Sequence, residues 1–335
     1  MEGVSVFLGV VWLKFSKVLV TGGAGFIGSH LVDALMVRGF RVKVVDNLSN
    51  GSLKNVESWV GNPRFELVQG DLKDLDVACR SVGDVEVVFH LAANPDVRLG
   101  ESDPSVHFRE NLLVTFNVLE AMRKSERAKR IVFASTSTVY GEAKVFPTPE
   151  DYGPLLPISI YGASKLGCEA LISSYCHTFG FSGVLLRFAN VVGARAKHGV
   201  IVDFIRKLKQ NPEELEILGD GKQKKSYLHV KDLVGAFFTV LPCLEVRRVV
   251  ETFNVGSLDQ VDVKRIAEIV CEEMGIRTPR FKFNNVLGDG RGWRGDVKTM
   301  HLSVERLMGL GWKPTLTSEE AIRLGCRELL NEIIC

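Results

Sequence analysis

The chain has 335 residues, of which 46% are hydrophobic and 24% charged, with a formal net charge of +2, which suits a soluble globular protein with a large core in one big domain or two unequal ones. No basic tract or aromatic–basic alternation marks a nucleic-acid surface, so no nucleic-acid partner is expected. The cysteines (Cys79, Cys168, Cys176, Cys243, Cys271, Cys326, Cys335) are scattered without C-x-x-C spacing and the histidines form no H-x-x-x-H pair, which points to reduced thiols, a cytoplasmic setting and no metal.

Val4 to Phe15 is mostly apolar, but it is too short to cross a bilayer as a helix. It also lacks the basic start and cleavage site of a signal peptide. Residues 1–16 read as a dispensable extension or a start-codon artefact, with an interfacial anchor as the alternative. No membrane partner is expected. From Lys17 to Val20 an apolar run reads as a buried parallel strand, followed by Gly22, Gly25 and Gly28 at spacing three. An apolar helical pattern starts at Phe26 and Ile27 and continues through Leu31, Leu35 and Met36. In this context Gly22 permits a tight turn, Gly25 lets the backbone approach a pyrophosphate, and Gly28 allows close packing of helix on strand. The helix start then attracts the phosphates.

Arg41 to Asp46 is a second strand, and its terminal carboxylate lies 18 residues beyond Gly28. There it can accept both ribose hydroxyls of adenosine and would repel a 2′-phosphate, which favours NAD over NADP. The polar loop Asn47, Leu48, Ser49, Asn50, Gly51 follows at the strand's carboxyl end, where ligands sit in open parallel sheets. Phe65 to Gln69 is a third strand closed by Gly70 and Asp71. Asp71 either accepts from the adenine amino group or caps a helix from Leu72. Val85 to Leu91 is the fourth strand, and the small residues Ala92 and Ala93 after it let backbone lie against a nicotinamide ribose. His90 within it reads as a core histidine.

Ser105 to Lys124 is a long amphipathic helix containing Asn111. Arg130 to Ser135 is the fifth strand and runs into Thr136, Ser137, Thr138, Val139, Tyr140 and Gly141. Glu142 to Pro157 is a loop, and Ile160 to Phe179 a second long helix. Gly183 to Phe188 is the sixth strand, ending at Ala189 and Asn190. Strands alternating with helices imply an α/β fold with a Rossmann-type, doubly wound parallel sheet. Beyond Asn190 the elements shorten. A helix is expected at Val202–Gln210 and a strand at Glu216–Leu218. The basic segment Gly219 to His229 follows, then a returning strand at Phe253 to Gly256 and helices at Asp262–Met274 and Ser318–Ile333. The expected division is an extension at 1–16, a dinucleotide-binding domain with the catalytic residues at 17–190, and a smaller mixed α/β substrate lobe at 191–335. The cleft between them is the default ligand site.

Tyr161 and Lys165 are four residues apart within a helical pattern and share one face. A phenol titrates near pH ~10 in isolation, but a neighbouring ammonium and a nicotinamide cation favour its phenolate. Such a tyrosine can act as a general base near neutral pH.

Taken together, T-G-G-A-G-F-I-G-S-H from Thr21 to His30, Asp46-Asn47, Gly70-Asp71, H-L-A-A at 90–93, S-T-S-T-V-Y-G at 135–141, Y-G-A-S-K at 161–165 and L-R-F-A-N at 186–190 resemble the extended short-chain dehydrogenase/reductases. Within them the chain resembles the NAD-dependent sugar epimerase/dehydratase group, above all the UDP-glucose 4-epimerases of archaeal type. The likeness runs from about Lys17 to the C-terminus. It implies that Thr136 is the catalytic hydroxyl, Tyr161 the base, and Lys165 its electrostatic partner, which also binds the nicotinamide ribose. It implies NAD contacts at Gly22, Gly25, Phe26, Ile27, Gly28, Asp46, Asn47, Ser49, Asn50 and Gly51. Further NAD contacts are implied at Asp71, Leu72, Leu91, Ala92, Ala93, Asn111, Ser135, Tyr161, Lys165 and Phe188. For the diphosphate of a UDP-sugar it implies Asn190, Lys225 (where relatives carry an arginine, with Lys224 as substitute) and Arg291 in preference to Arg294. The two long helices would form a homodimer.

The reaction implied is inversion at C4 of a UDP-hexose through a transient 4-keto sugar, by removal and return of one hydride. UDP-N-acetylhexosamine or UDP-glucuronate 4-epimerisation is the alternative, then decarboxylation or dehydration, and remotely a dinucleotide-binding scaffold. Ser137 and Thr138 stand where related dehydratases carry Asp and Glu. Related UDP-glucuronate decarboxylases carry a Glu at the second of these places. That disfavours both of those reactions. Met300 falls about where relatives place a residue that gates the C2 substituent.

Overall fold

The computed structural model describes residues 6–7, 12–13, 15–245, 250–277 and 279–334. Of the N-terminal extension, Val6–Phe7 pairs antiparallel with Trp12–Leu13. Most of residues 1–16 lie outside the described residues. Phe15 does not belong to an extension. It is fully buried, 6.4 Å from the Phe40 ring, with the Arg130 guanidinium over its face at 5.5 Å, so the folded unit reaches back past Lys17.

Seven parallel strands form the main sheet: β1 (Lys17–Thr21), β2 (Arg41–Asp46), β3 (Phe65–Gln69), β4 (Val87–His90), β5 (Arg130–Thr136), β6 (Ser182–Phe188) and β7 (Val250–Val255). Their order is β7-β6-β5-β4-β1-β2-β3, so the winding reverses between β1 and β4, and a crevice opens at the carboxyl ends there. Alternate strand residues face opposite layers. Val18 and Val20 of β1 join one core with Leu31, Leu35 and Met36 of α1 (Phe26–Val37). Leu19 joins the other, with Ala78 and Val82 of α2 (Leu75–Val82), Val118 and Met122 of α3 (Val114–Lys124), and Ile172 and Cys176 of α4 (Ile160–Phe179). The β strands are apolar on both faces because both are covered.

The expected helix from Ser105 to Lys124 is not one regular element. Pro104–His107 is α-helical, Phe108–Leu113 is a π-helical turn, and α3 continues from Val114. The wider turn carries Asn111 inward, a common use of such turns near functional sites.

The smaller lobe is built on α5 (Val200–Gln210), α7 (Val263–Glu273) and α8 (Ser318–Ile334), whose apolar faces share a third core with Leu215 and Ile217. Glu214–Leu218 pairs parallel with Arg280–Asn284. The basic segment before His229 holds two short strands, Lys224–Lys225 and Tyr227–His229. A division at residue 190 cuts across this architecture. β7 pairs along its whole length with β6, and Leu233, Ala236 and Phe237 of α6 (Val230–Thr239) pack into the α1 layer. Among the described residues no helix is long and apolar enough to cross a membrane.

Candidate active site

A cavity of about 610 Å³ opens over the carboxyl ends of the strands and extends under the smaller lobe, a size that encloses most of a ligand. Its floor is the glycine turn. Gly22 adopts φ +68°, and a Cβ there would lie 3.0 Å from the Ala92 backbone. A Cβ on Gly28 would lie 2.2 Å from the Gly22 carbonyl oxygen, whereas one on Gly25 meets only that oxygen, at 3.2 Å. Gly22 and Gly28 are therefore fixed by packing, while Gly25 leaves open the side that faces the cavity. Gly25 is also the N-cap of α1, with no side chain occupying the free amides. Such an arrangement can cradle a pyrophosphate.

At the end of β2, Asp46 accepts hydrogen bonds from the backbone amides of Ala24 (3.0 Å) and Leu48 (2.8 Å). It is thus held rigidly against the turn with lone pairs to spare. Asp71 lines the same wall. Its Oδ1 accepts from the Lys73 amide at 2.9 Å and its Oδ2 from Asn47 Nδ2 at 3.3 Å. It does not cap the following helix, a role taken by Asp74. His90 is a satisfied core residue between Thr21 Oγ1 (2.8 Å) and Thr115 Oγ1 (2.9 Å). Burial, with the Lys165 charge behind it, lowers its pKa to about 3, so the ring is neutral.

Thr136 ends β5. Its Oγ1 accepts from the Thr138 amide at 3.2 Å, and the two hydroxyls are 3.1 Å apart. Tyr161 stands on the first turn of α4, which Ser159 caps through the Gly162 amide at 3.0 Å. The His107 ring meets the Tyr161 ring edge-on at 5.5 Å. One turn on, Lys165 Nζ donates to the Ala134 carbonyl at 2.7 Å and lies 4.6 Å over the Phe133 ring. Burial pushes the phenol of Tyr161 well above its usual value. Burial also brings the Lys165 ammonium down to about 8, against the opposing pull of Cys168 and Glu169.

Thr136, Tyr161, Lys165 and the expected cofactor contacts Gly22, Gly25, Phe26, Ile27, Gly28, Asp46, Asn47, Ser49, Asn50, Gly51, Asp71, Leu72, Leu91, Ala92, Ala93, Ser135 and Phe188 all line this one cavity, as do Asn190 and Lys225. Two expected residues do not. Asn111 is buried behind the wall, where its Oδ1 accepts from the Asn94 amide (2.8 Å) and its Nδ2 donates to Ser164 Oγ (2.9 Å). It acts on the site by holding a loop and a helix together. Arg291 is turned aside into ion pairs with Glu142 and Asp289, and its Nε donates to the Asp296 carbonyl at 3.0 Å. Arg294 does not replace it. That side chain is 77% exposed, 3.8 Å from Glu101. Lys225 is in the cavity, bound to the buried Asp296 at 2.6 Å and lying 5.5 Å from the Trp293 ring.

Cations that sequence reasoning did not single out also line the cavity, among them Arg98, Arg195, Lys197 and Arg206, and Lys197 Nζ donates to the Gly51 carbonyl at 3.1 Å. Arg195 is held in a left-handed conformation (φ +67°) by Asp33 at 2.8 Å and by Glu332, which accepts from its amide at 2.9 Å. The signal was weak: Arg195 and Lys197 follow the end of β6 by seven and nine residues.

These residues fit a nicotinamide dinucleotide with an unmodified adenosine ribose: a Cβ-free cradle for the pyrophosphate, a fixed carboxylate at the second strand, and a tyrosine–lysine pair at the far end. A putative UDP-glucose 4-epimerase of Methanocaldococcus jannaschii is 35% identical over 311 residues, covering 91% of this chain and 96% of that one. A crystal structure of a UDP-galactose 4-epimerase superposes with a TM-score of 0.84 at 46% identity, covering 95% of this chain and 99% of that one. A UDP-N-acetylglucosamine 4-epimerase from Methanobrevibacter ruminantium does so with a TM-score of 0.82 at 29% identity, covering 96% and 100%. Residues 18–256, from the first strand through the last strand of the sheet, match the model of one family, and the chain belongs to it: the NAD dependent epimerase/dehydratase family.

Proposed function

We propose that the protein is a UDP-hexose 4-epimerase that interconverts UDP-galactose and UDP-glucose with NAD. The observation that carries this reading is the strand end at Thr136. Its hydroxyl is bonded to that of Thr138, and Ser137 stands between them, where elimination would need a carboxylic acid and a carboxylate. A hydroxyl cannot serve as a general acid near neutral pH as a tuned carboxyl group can. What remains is removal and return of hydride at C4.

Tyr161, as phenolate, takes the proton of the sugar 4-hydroxyl, and Thr136 hydrogen-bonds the same oxygen. NAD, when bound, supplies a reversible hydride acceptor. Burial alone holds Tyr161 protonated; within this chain it is the Lys165 ammonium, one turn away, that favours the phenolate. Asn190 and Lys225 hold the diphosphate, and Arg195 and Arg206 add positive charge to the same cavity, whereas Lys197 is bonded to the Gly51 carbonyl on its cofactor side. That remote binding energy would keep the nucleotide in place while the sugar turns about its phosphate link to present its other face.

NMR of the purified protein incubated with UDP-galactose tests this. UDP-glucose is the expected product. A 6-deoxy methyl signal from a UDP-hexose, or a UDP-xylose anomeric signal from UDP-glucuronate, without UDP-glucose from UDP-galactose, overturns it. UDP-N-acetylglucosamine belongs in the same panel, because Met300 is buried in the cavity wall and is neither small nor a tyrosine.

The active form we infer is a cytoplasmic homodimer. Phe108 and Phe116 on the helical segment around Asn111, and Phe179 at the end of α4, are 59%, 41% and 44% exposed. Such a spread of aromatic side chains suits a helix-on-helix contact with a second copy. A monomer mass by light scattering at micromolar concentration refutes it.

A further inference from the structure

The catalytic helix carries a charged group that the chemistry above does not use. Glu169 lies one turn beyond Lys165 on α4, and its side chain is 5% exposed. Arg187 of β6 meets it with two bonds, Nη2 to Oε2 at 2.7 Å and Nε to Oε1 at 3.0 Å. Oε1 also accepts from Ser135 Oγ at 2.5 Å. Ser135 and Arg187 are direct partners in the pairing of β5 with β6. Arg187 Nη1 donates further to Tyr140 Oη (2.9 Å) and the Glu150 carbonyl (3.1 Å). Tyr140 Oη in turn donates to Asn254 Oδ1 of β7 at 2.8 Å.

Two successive turns of α4 thus grip two successive residues of β5: Lys165 takes the Ala134 carbonyl and Glu169 takes the Ser135 hydroxyl. The next residue of the strand is Thr136, and the turn before Lys165 carries Tyr161. We propose that the Glu169–Arg187 pair is a positioning unit. It sets the height of the catalytic helix against the end of β5, and hence Tyr161 against Thr136, and it orients Ser135 toward the cofactor. The orientation has a chemical consequence. The hydroxyl proton of Ser135 is committed to Glu169, so any bond that its Oγ makes toward the cavity Ser135 lines is one it accepts. Its partner in the cavity is a donor, a hydroxyl or an amide N–H of the bound dinucleotide.

A stability role alone explains the pair poorly. Replacing a buried ion pair by apolar side chains of similar volume is often neutral or stabilising. What such a replacement would lose here is the register of helix on strand, and misplacement of a reacting group by about 1 Å can cost about 100-fold in rate.

The inference rests on the epimerase reading, so the wild-type protein is assayed first with UDP-galactose. An inactive wild type sinks that reading, while NAD titration of the variants still reads the inference without any sugar. In Glu169→Gln, kcat is expected to fall about 10- to 100-fold with KM for the UDP-sugar little changed, and NAD affinity falls as well. The Ser135→Ala/Glu169→Gln double variant loses no more NAD affinity than the worse single variant, because both act through one contact. Glu169→Leu/Arg187→Met removes the pair without stranding a charge, and it is expected to stay folded with kcat equally low. If that apolar variant melts like the wild type and turns over at the wild-type rate, the pair is structural only. Fully additive losses of NAD affinity in the Ser135/Glu169 cycle also overturn the proposal.

Discussion

Gly25→Ala and Gly28→Ala separate the two duties of the glycine turn. At Gly28 the added Cβ would lie 2.2 Å from the Gly22 carbonyl oxygen and 2.9 Å from the Gly22 carbon and the Gly23 Cα, all backbone, where ordinary contact begins at 3.4 Å. The helix must therefore back away from β1 by about 1 Å, and overpacking of that kind costs about 1–3 kcal/mol. The better helix propensity of alanine over glycine returns at most about 1 kcal/mol. At Gly25 the only close contact is the Gly22 oxygen at 3.2 Å, which a few tenths of an ångström relieve, but the methyl points where the pyrophosphate must come. Thermal melting and NAD titration on the same samples read the difference. Gly28→Ala is expected to melt several degrees lower and to bind NAD more weakly. Gly25→Ala is expected to melt like the wild type and yet to lose at least about tenfold in NAD affinity, as displacement of one charge-assisted hydrogen bond costs about 1.5–3 kcal/mol. A Gly25→Ala protein that binds NAD normally, or a Gly28→Ala protein with unchanged melting, refutes the division of roles.

Tyr161→Phe keeps the ring that packs on His107 and removes only the proton acceptor, so kcat is expected to fall about 10²- to 10⁴-fold with unchanged melting and UDP binding; near-normal turnover removes Tyr161 as the base. Asp46→Ala deletes the ribose acceptor and strands the Ala24 and Leu48 amides. Titrations should show NAD strongly preferred by the wild type and the preference over NADP narrowed in the variant, and a wild type that favours NADP contradicts the reading of Asp46. The Lys165 ammonium, lowered to about 8 by burial, is present below that pH and lost above it. The value of kcat/KM, which reports the free enzyme, should therefore fall as pH rises through about 8, and a profile flat to pH 10 would exclude Lys165 as the electrostatic partner.

The parts of the site legible in the sequence are those whose chemistry is local. Gly22, Gly25 and Gly28 are spaced by a turn, Tyr161 and Lys165 by one helical turn, and Asp46 by the end of an apolar strand, and each stands where periodicity puts it. The rest depends on partners far along the chain. Arg291 reads as a free cation until Glu142, 149 residues away, claims it. Lys225 is likewise answered by Asp296, 71 residues on. Glu169 reads as one more polar position on a helix, and nothing near it in sequence announces Arg187. Asn111 reads as a cofactor contact, but it lies behind the cavity wall, bonded to Asn94 and Ser164, within a π-helical turn at Phe108–Leu113 that no spacing rule signals. Arg195 was legible in principle, since it closely follows a strand end, but its conformation is imposed by Asp33 and Glu332 from two other helices.

The seventh strand has a consequence for how this protein must be made. By residue 190 the chain has delivered six strands and every proposed catalytic group, yet the sheet ends on a bare edge at β6. The strand that covers that edge arrives only at Val250–Val255, after the chain has left to begin the other lobe, and Asn254 of that strand receives the Tyr140 hydrogen bond that backs Arg187. A fragment ending at residue 190 should therefore carry an exposed, apolar strand edge and self-associate, whereas one extended past residue 255 recovers the sheet. On the ribosome the nucleotide-binding half cannot close before part of its neighbour has been synthesised, so the two lobes fold as interleaved pieces rather than one after the other.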